Sequence, residues 1–208
     1  MDSDKKIDIY RVQNWYSNLA VNSFPSVFVM LRPEEVTALA DGKTSGPVVE
    51  GVLPRLDSAL RTFSGNRFVS VDLAAPTDTE RFRSKRGAVK SASSAWGVLA
   101  ESMKVRSDAM HGKVSCICVR PFRRLDQTKE FRLFIKDGKL NAMSQYWLIR
   151  HFRRHVKYQE KYWTQARNFV DSVSWALPAK DIVADIYFTS EGKVLVIDLN
   201  PWGPPTDP

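Results

Sequence analysis

Two aspartates and an asparagine near the end of the chain are the residues best suited to chemistry. Asp185 lies in one apolar run of the sequence, and Asp198 and Asn200 lie in the next. A turn at Glu191 and Gly192 would fold the two runs into a hairpin, with Asp185 roughly opposite Asp198. Because residues two apart on a strand share a face, Asp198 and Asn200 would point in the same direction.

Two carboxylates and an amide oxygen on one sheet face would form a hard oxygen site. Such a site suits Mg²⁺, which takes one or two carboxylates and completes its shell with water and substrate phosphates. Two acidic side chains among apolar neighbours would otherwise repel each other and be costly to bury. The alternative is that one aspartate caps a turn and the other faces water. Spacing alone leaves both interpretations open.

Two arginines complement the acidic residues. Arg120 and Arg132 are flanked by apolar residues, on strands that we expect to be neighbours. An arginine on the inner face of a sheet requires an anion, and a phosphate that accepts two N–H bonds is a natural one. The alternative is a structural ion pair with a carboxylate. Lys136 shares the strand face of Arg132 by parity and is a weaker candidate.

Short strands in hairpins, interleaved with helices, would position these residues. Alternating or continuous apolar runs predict strands over 27–31, 68–73, 114–119, 130–135, 140–144, 182–188 and 194–199. Helical spacing predicts helices after Trp15, from Pro33, and over 52–63, 92–103 and 152–173. Asp137-Gly138 between two apolar runs is a strong hairpin signal. The pattern predicts an α+β fold with largely antiparallel sheets.

Composition restricts the class of protein. The chain has 208 residues, of which 43% are hydrophobic and 26% charged, which is typical of a globular protein and not of a disordered tail or a membrane bundle. No apolar run approaches the ~18–20 residues that span a bilayer, and the first residues lack the apolar core of a signal peptide. Two cysteines cannot build a disulfide framework, so we expect a reducing, cytoplasmic environment and no membrane partner.

The net charge of +8 favours an anionic partner, such as a nucleotide, RNA or an acidic protein surface. The alternative is a solvated surface that only keeps the protein soluble. Basic residues concentrate over 81–90, and again at Arg150, Arg153, Arg154, Lys157, Lys161 and Arg167. Aromatic residues interleave with the second group, as in surfaces that stack single-stranded RNA, although aromatic residues at helical spacing are more often core.

Several segments together resemble a known family. They are Glu130–Ile135, Met143–Tyr146 and above all Asp185-Ile186-Tyr187, Gly192-Lys193-Val194 and Ile197–Gly203, with upstream support from Trp15-Tyr16, residues 24–31 and Ala75–Asp78. In this order they resemble the cell-division-cycle-123 family, a divergent clade of ATP-grasp proteins. The resemblance covers nearly the whole chain.

The resemblance implies an ATP-grasp fold, in which two α+β subdomains with antiparallel sheets clasp ATP and Mg²⁺. We place the subdomains at residues 1–113 and 114–208. By motif, the metal ligands are Asp185, Asp198 and Asn200. The arginines that match those holding the phosphates, and thus the candidate catalytic residues, are Arg120 and Arg132.

The strand 116–119 would lie beside adenine, which makes Cys118 and Val119 candidate nucleotide contacts. One departure concerns a lysine that the family usually carries on the strand before the Pro-x-Asp motif, where this chain has Ser70. Arg67 or, more favourably, Lys90 would supply that charge instead. Lys90 follows a glycine-containing loop and precedes a helix, whose backbone N–H groups could also hold phosphate.

The resemblance leaves two classes of function. Related bacterial and viral members are regarded as ATP-dependent ligases, whereas eukaryotic members assemble translation initiation factor 2 by binding its gamma subunit. We put first a ligase that activates a carboxylate or phosphate, with a protein, a small amine or RNA as acceptor. The alternative is a non-catalytic, ATP-bound assembly chaperone. The sequence ends just past the metal motif, which tilts the expectation towards a minimal ATP-grasp core and away from the chaperone.

Overall fold

The structure is a computed structural model that describes residues 9–148, 151–203 and 206. Residues 1–8 of the segment inspected for a leader, and Arg150 of the basic group, lie outside the described residues. The chain forms two units, each built on its own antiparallel sheet. The three-stranded unit is Pro25–Arg124, and the four-stranded unit comprises the described residues up to Phe24 and the described residues from Leu125 onward.

The helices and strands alternate along the chain as expected for an α+β fold. In chain order they are α1 (Val12–Leu19), β1 (Val27–Met30), α2 (Pro33–Ala40), α3 (Pro47–Arg61), β2 (Arg67–Val71), α4 (Glu80–Lys85), α5 (Ala92–Glu101), α6 (Met103–Met110), β3 (Cys116–Pro121), β4 (Glu130–Lys136), β5 (Lys139–Gln145), α7 (Arg153–Val173), β6 (Ile182–Phe188) and β7 (Val194–Pro201). Short 3₁₀ turns follow α1, precede β4 and follow α7. Of the helices in the described part of the chain, none has both the length and the apolar composition that crossing a bilayer requires.

The three-stranded unit has the strand order β1-β3-β2. Both edges of β3 are occupied, because β1 and β2 pair with it on opposite sides. Alternate residues of these strands, such as Val69 and Ile117, join Leu56, Trp96 and Leu99 of the helices in one apolar core. The unit extends to Arg124, beyond β3. The subdomain boundary expected between residues 113 and 114 stays a prediction.

Three helical features of this unit differ from the sequence prediction. Helix α3 starts at Pro47, before the expected residue 52, because proline is well suited to a first helical position and follows Gly46 at the N-cap. The short helix α4 begins after Thr79, whose side chain accepts a hydrogen bond from the Phe82 N–H. Ser102 separates α5 from α6 and caps the latter. Such caps are local hydrogen bonds that apolar periodicity does not reveal.

The four-stranded unit has the strand order β5-β4-β6-β7. One face of its sheet is apolar and buried, with Phe131, Ile186 and Phe188 among its residues. Helix α7 packs against this sheet through β5 and β7. The ring of Tyr162 on α7 lies 4.9 Å from that of Phe131 and 5.0 Å from that of Phe188, measured between centroids. The opposite face of the sheet is therefore the one that can carry polar residues.

Candidate nucleotide and metal site

A β-bulge in the last strand decides which residues of β7 face the polar side of the sheet. The register passes from Asp185 opposite Asp198 to Ile186 opposite Val196, so Ile197 is the extra residue. In a regular strand Val196 and Asp198 would share a face. With Ile197 inserted, Val196 is buried in the core, and Asp198 and Asn200 lie on the opposite face.

One row of residues runs across all four strands on that face. Its members, from β5 to β7, are Ser144, Arg132, Asp185 and Asp198, each opposite the next. The register expected for Asp185 and Asp198 is confirmed. Asn200 belongs to the neighbouring row, on the same face. The hairpin thus brings the three predicted metal ligands together, and the row adds Arg132 beside them.

Asp185 and Arg132 form a buried ion pair with two hydrogen bonds. Arg132 Nε donates to Asp185 Oδ1 over 2.8 Å, and Nη2 donates to Oδ2 over 3.0 Å. Asn200 Nδ2 also donates to Oδ2 over 3.1 Å. Asp185 is only 5% exposed. Arg132 thus forms the structural ion pair with a carboxylate that was the alternative interpretation. Its partner is Asp185, so the pair joins the expected phosphate ligand to an expected metal ligand.

Burial and pairing act on the ionisation of this group of residues. Burial raises the pKa of Asp185, and the hydrogen bonds from Arg132 and Asn200 oppose that rise. The hydrogen bonds to Asp185 raise the pKa of Arg132, which stays charged. Burial also raises the pKa of Tyr146 to about 12, so this phenol is neutral at physiological pH. The site thus offers fixed charges and hydrogen bonds, the means of binding a charged ligand.

The donor set fits Mg²⁺. Asp185 and Asp198 supply carboxylate oxygens, and the amide of Asn200 turns its Nδ2 to Asp185, which leaves its oxygen to act as an acceptor. Two carboxylates directly opposite on neighbouring strands repel each other, and a cation between them removes that repulsion. Asp198 Oδ1 already accepts the Leu199 N–H at 2.9 Å, which fixes its orientation. The described residues contain no cluster of three or more His, Cys, Asp or Glu, and the candidate set here consists of two carboxylates and one amide oxygen.

Two residues of this face escaped the sequence prediction of the site. The ring centroid of Tyr146 lies 5.3 Å from the guanidinium carbon of Arg132. The charges of Asp185 and Arg132 both act on the Tyr146 hydroxyl. The hydroxyl of Ser144 is buried without a hydrogen-bond partner, directly across from Arg132. Both residues fall in the family-like segment Met143–Tyr146. The cross-strand register of the Asp137-Gly138 hairpin is the sequence signal that could have placed them beside Arg132.

The other predicted nucleotide contacts lie on the three-stranded unit. Ser70 is opposite Cys118, and Arg120 is next along the same face, where its Nε donates to Ser26 Oγ over 3.0 Å. Val119 points to the helix-covered core, so only its backbone could contact a ligand. The expectation that Arg120 and Arg132 lie on neighbouring strands was wrong, because β3 is already paired on both edges and β4 belongs to the other sheet.

The two candidates for the missing lysine have different surroundings. Arg67 donates from Nε to Leu60 O over 2.6 Å and from Nη1 to Gly65 O, so its guanidinium is committed to the backbone. Lys90 is exposed at the end of a loop that begins at α4. Gly87 holds this loop against Phe68, with a φ of +81° and no room for a Cβ, which would lie 2.9 Å from the Phe68 ring. These surroundings favour Lys90, whose role stays a prediction.

The basic residues of α7 are mostly exposed, and its aromatic residues differ in how far they are buried. Tyr158 packs edge-on against Tyr162, with ring centroids 6.4 Å apart, and the Lys157 ammonium lies 5.6 Å from the Tyr158 centroid. His155 Nε2 donates a 2.8 Å hydrogen bond to Thr128 O, and its ring lies in the same aromatic cluster. The core interpretation thus accounts for Tyr162, whereas Tyr158 is exposed, and RNA binding stays a prediction.

A comparison with known families decides the identity of the chain. Residues 54–208 match the D123 family. The chain belongs to the D123 family. This assignment confirms the resemblance found in the sequence.

Three relatives of this D123 family member are of two kinds. It is 34% identical to the "Translation initiation factor eIF2 assembly protein" of Danio rerio over 92 residues, which cover 44% of this chain and 26% of that protein. The protein of the same name from Xenopus laevis is 32% identical over 92 residues, covering 44% and 27%. A CDC123-like protein of Acanthamoeba polyphaga mimivirus is 25% identical over 221 residues, covering 96% of this chain and 67% of that one. The match thus spans about a quarter of the length of the assembly proteins.

Solved structures confirm the fold of this D123 family member. Cdc123 from Schizosaccharomyces pombe superposes with a TM-score of 0.82 at 18% identity, covering 98% of this chain and 87% of that one. A RimK domain ATP-grasp protein from Sphaerobacter thermophilus gives a TM-score of 0.52 at 8% identity, covering 93% and 58%. Together they show an α+β fold of the ATP-grasp type.

Proposed function

We propose that this protein binds ATP with Mg²⁺ and assists the assembly of translation initiation factor 2, without acting as a ligase. This proposal reverses the order of our two sequence-based hypotheses. The observation that carries it is the 30–34% identity, over 92 residues, to three proteins named for assembly of this initiation factor. The likeness to ATP-grasp proteins outside the family is a likeness of fold at 8% identity, which supports no particular reaction.

The polar row of the four-stranded unit supports nucleotide binding. Asp185, Asp198 and Asn200 would hold Mg²⁺, and Arg132 would bind phosphate oxygens with its two N–H groups. When bound, Mg²⁺ supplies positive charge that neutralises the phosphates of the nucleotide. Tyr146 and Arg132 keep their protons at neutral pH, so neither is suited to act as a base there. Such a group of residues binds a charged ligand without needing to change its own protonation.

The roles assigned to the three-stranded unit remain part of the proposal. Arg120 and Lys90 would add positive charge for phosphates, whereas Arg67 is less suited because backbone carbonyls hold its guanidinium. Contact with adenine would come from the β3 segment that includes Cys118. An assembly role is consistent with the expected cytoplasmic location, and RNA or another acidic surface is not required for it.

Reconstitution with initiation factor subunits tests the assembly role. We would co-express the chain with the alpha, beta and gamma subunits of zebrafish initiation factor 2, because the zebrafish assembly protein is among the matched relatives. Purification through the gamma subunit should retain the chain, and the yield of the three-subunit complex should increase. As a control, the Asp171→Asn variant, which is altered on the exposed part of α7, should be retained and should raise the yield as wild type does. No retention and no gain in assembled complex would contradict the assembly role.

A turnover assay separates the assembly role from ligation. ATP labelled at the γ position or on the adenine would be incubated with the chain, Mg²⁺ and cell extract, with and without initiation factor subunits. Binding of ATP without stoichiometric release of ADP or AMP is the expected result. Release of labelled phosphate together with ADP, or of AMP with pyrophosphate, that depends on an added acceptor and stops in the Asp185→Asn variant would instead support the ligase, because the activating group leaves when the acceptor displaces it.

A further inference from the structure

The Arg132–Asp185 ion pair uses both groups that a metal-bound nucleotide would need. Arg132 donates to both oxygens of Asp185, at 2.8 and 3.0 Å, and Asn200 adds a third hydrogen bond at 3.1 Å. The side chain of Arg132 is 16% exposed and that of Asp185 is 7% exposed. A divalent cation arriving at Asp185 would meet the guanidinium charge, and a phosphate arriving at Arg132 would meet the carboxylate.

We propose that Arg132 and Asp185 exchange partners, so that the pair is closed without ligand and opens only when the phosphate and the divalent cation bind together. This inference rests on the proposed binding of ATP and Mg²⁺. Separating the pair for one ligand would take from the other, buried member the opposite charge that it directly contacts, which is strongly unfavourable. When both ligands arrive, each member receives a new partner. The metal and the nucleotide therefore bind with positive coupling.

The order of residues along the row supports the exchange. Asp198 lies on the far side of Asp185, on β7, so a cation held there has a second carboxylate away from the arginine. Ser144 lies on the other side of Arg132, on β5, and its buried hydroxyl has no hydrogen-bond partner. A buried hydroxyl without a partner is uncommon and is explained if a ligand or a moved side chain satisfies it. Negative groups thus lie at the β7 end of the row, and hydrogen-bond donors lie at the β5 end.

Tyr146 limits how far the guanidinium can move. Its ring lies 5.3 Å from the guanidinium carbon, and its backbone N–H donates to Glu130 O at 3.0 Å. The adjacent ring keeps Arg132 near the sheet while its N–H groups change partner. Arg132 is therefore a residue that couples the two ligands, in addition to its expected contact with phosphate.

Calorimetric titration of the full chain measures this coupling. Wild type would be titrated with Mg²⁺ alone, with ATP in EDTA, and with ATP in saturating Mg²⁺. Partner exchange predicts that each ligand alone binds at least about 10-fold more weakly than in the presence of the other, within the ordinary range for coupled sites. Equal affinities with and without the second ligand would overturn the exchange but leave nucleotide binding intact. No binding of ATP in Mg²⁺ would overturn the proposed function, and the exchange with it.

The Arg132→Met variant should change two affinities in opposite directions, which a simple loss of contact would not do. Without the guanidinium, Mg²⁺ alone should bind several-fold more tightly than to wild type, and ATP with Mg²⁺ should bind more weakly. Asp198→Asn is the matched control, because it should weaken metal binding and leave the coupling ratio unchanged. An Arg132→Met chain that binds Mg²⁺ alone no better than wild type contradicts the exchange.

Spectroscopy on wild type provides a test that needs no variant. The Arg132 Nε–H bonded to Asp185 should give a ¹H–¹⁵N signal that is protected from exchange with water. This signal should persist after addition of Mg²⁺ or ATP alone and shift only when both are present. A shift that is complete with one ligand would show that the pair opens without the second.

Discussion

Asp185 is the residue on which both the packing of the polar face and its charge depend. Its carboxylate compensates Arg132, so replacing it with asparagine removes the charged partner that holds the buried guanidinium with two hydrogen bonds. We expect Asp185→Asn to lower the free energy of unfolding by about 3 kcal/mol, measured by urea denaturation, and to abolish Mg²⁺-dependent ATP binding. Asp171→Asn, on exposed α7, should change stability by less than about 0.5 kcal/mol. Equal stabilities of wild type and Asp185→Asn would contradict the structural importance of the pair.

Asp78 is a second carboxylate with a defined task, at the start of α6. Its Oδ1 accepts the Ser102 hydroxyl at 2.6 Å, and its Oδ2 accepts the Lys104 N–H at 3.2 Å. Burial acts to raise the pKa of Asp78, but these hydrogen bonds and one from the Met103 backbone outweigh it, so the pKa lies below its ordinary value. A carboxylate of this kind stabilises the fold above its unfolded pKa, and this contribution is lost as the pH falls through the folded pKa.

The effect of Asp78→Asn should therefore depend on pH. At pH 7 we expect the free energy of unfolding to fall by about 1 kcal/mol, as for loss of a helix cap. Below about pH 4, the unfolded pKa of an aspartate, wild type loses the same contribution and the two proteins should converge. Denaturation curves at pH 7, 5 and 3 check this. A difference that stays constant across this range would mean that Asp78 acts by shape and not by charge.

Among the secondary structure elements, β7 makes an unusual prediction because of its bulge. Deleting Ile197 removes the extra residue and leaves Val196 facing the core and Asp198 facing the polar side. Deleting Leu199 instead moves Asn200 into a buried apolar position. We expect the Ile197 deletion variant to fold and to bind ATP with Mg²⁺. The free energy of unfolding of the Leu199 deletion variant should fall by about 2 kcal/mol or more. Thermal unfolding of the two deletion variants measures the difference in their stability. Equal losses of stability would contradict the view that the bulge makes Ile197 dispensable.

The loop after α4 depends on Gly87 in a similar, local way. Gly87 and Gly65 both have a positive φ, of +81° and +75°, but only Gly87 has atoms within 4 Å of the position that an alanine methyl group would occupy. Both alanine variants share the backbone penalty. Gly87→Ala must also displace the Phe68 ring, so it should be less stable than Gly65→Ala by about 1 kcal/mol or more. Urea denaturation of both variants measures this difference.

For the whole molecule, the sequence predicts local elements and register better than the assignment of strands to sheets. Alternation predicted the hairpin that places Asp185 opposite Asp198, because side-chain parity and turn residues act over short distances. The same rules could not tell that β3 pairs with β1 and β2, because those partners are far away in sequence. They also missed the Arg132–Asp185 pair, which depends on β4 lying beside β6, and not on spacing within a strand. The family resemblance supplied the fold class that local patterns left open.

The contiguous three-stranded unit should fold by itself. Residues 25–124 contain all three strands of one sheet and the apolar core that covers it, including Leu56, Trp96 and Leu99. We expect a fragment of these residues to unfold cooperatively on heating, monitored by near-ultraviolet circular dichroism. A fragment of residues 125–208 lacks α1 and should show no such transition. Cooperative unfolding of the second fragment would contradict the importance of α1 to its unit.

The pairing of an early segment of the chain with its last strand also affects the order in which the two units can fold during synthesis. Ser23 pairs with Val196, its hydroxyl donating to the Val196 carbonyl over 2.9 Å across 173 residues of sequence. On a ribosome the three-stranded unit can be completed while β7 is not yet made. Until then α1 has no strand to cover Val12, Trp15 and Leu19, which are buried in the finished protein. This helix therefore exposes an apolar face to the nascent chain's surroundings until β7 has been made.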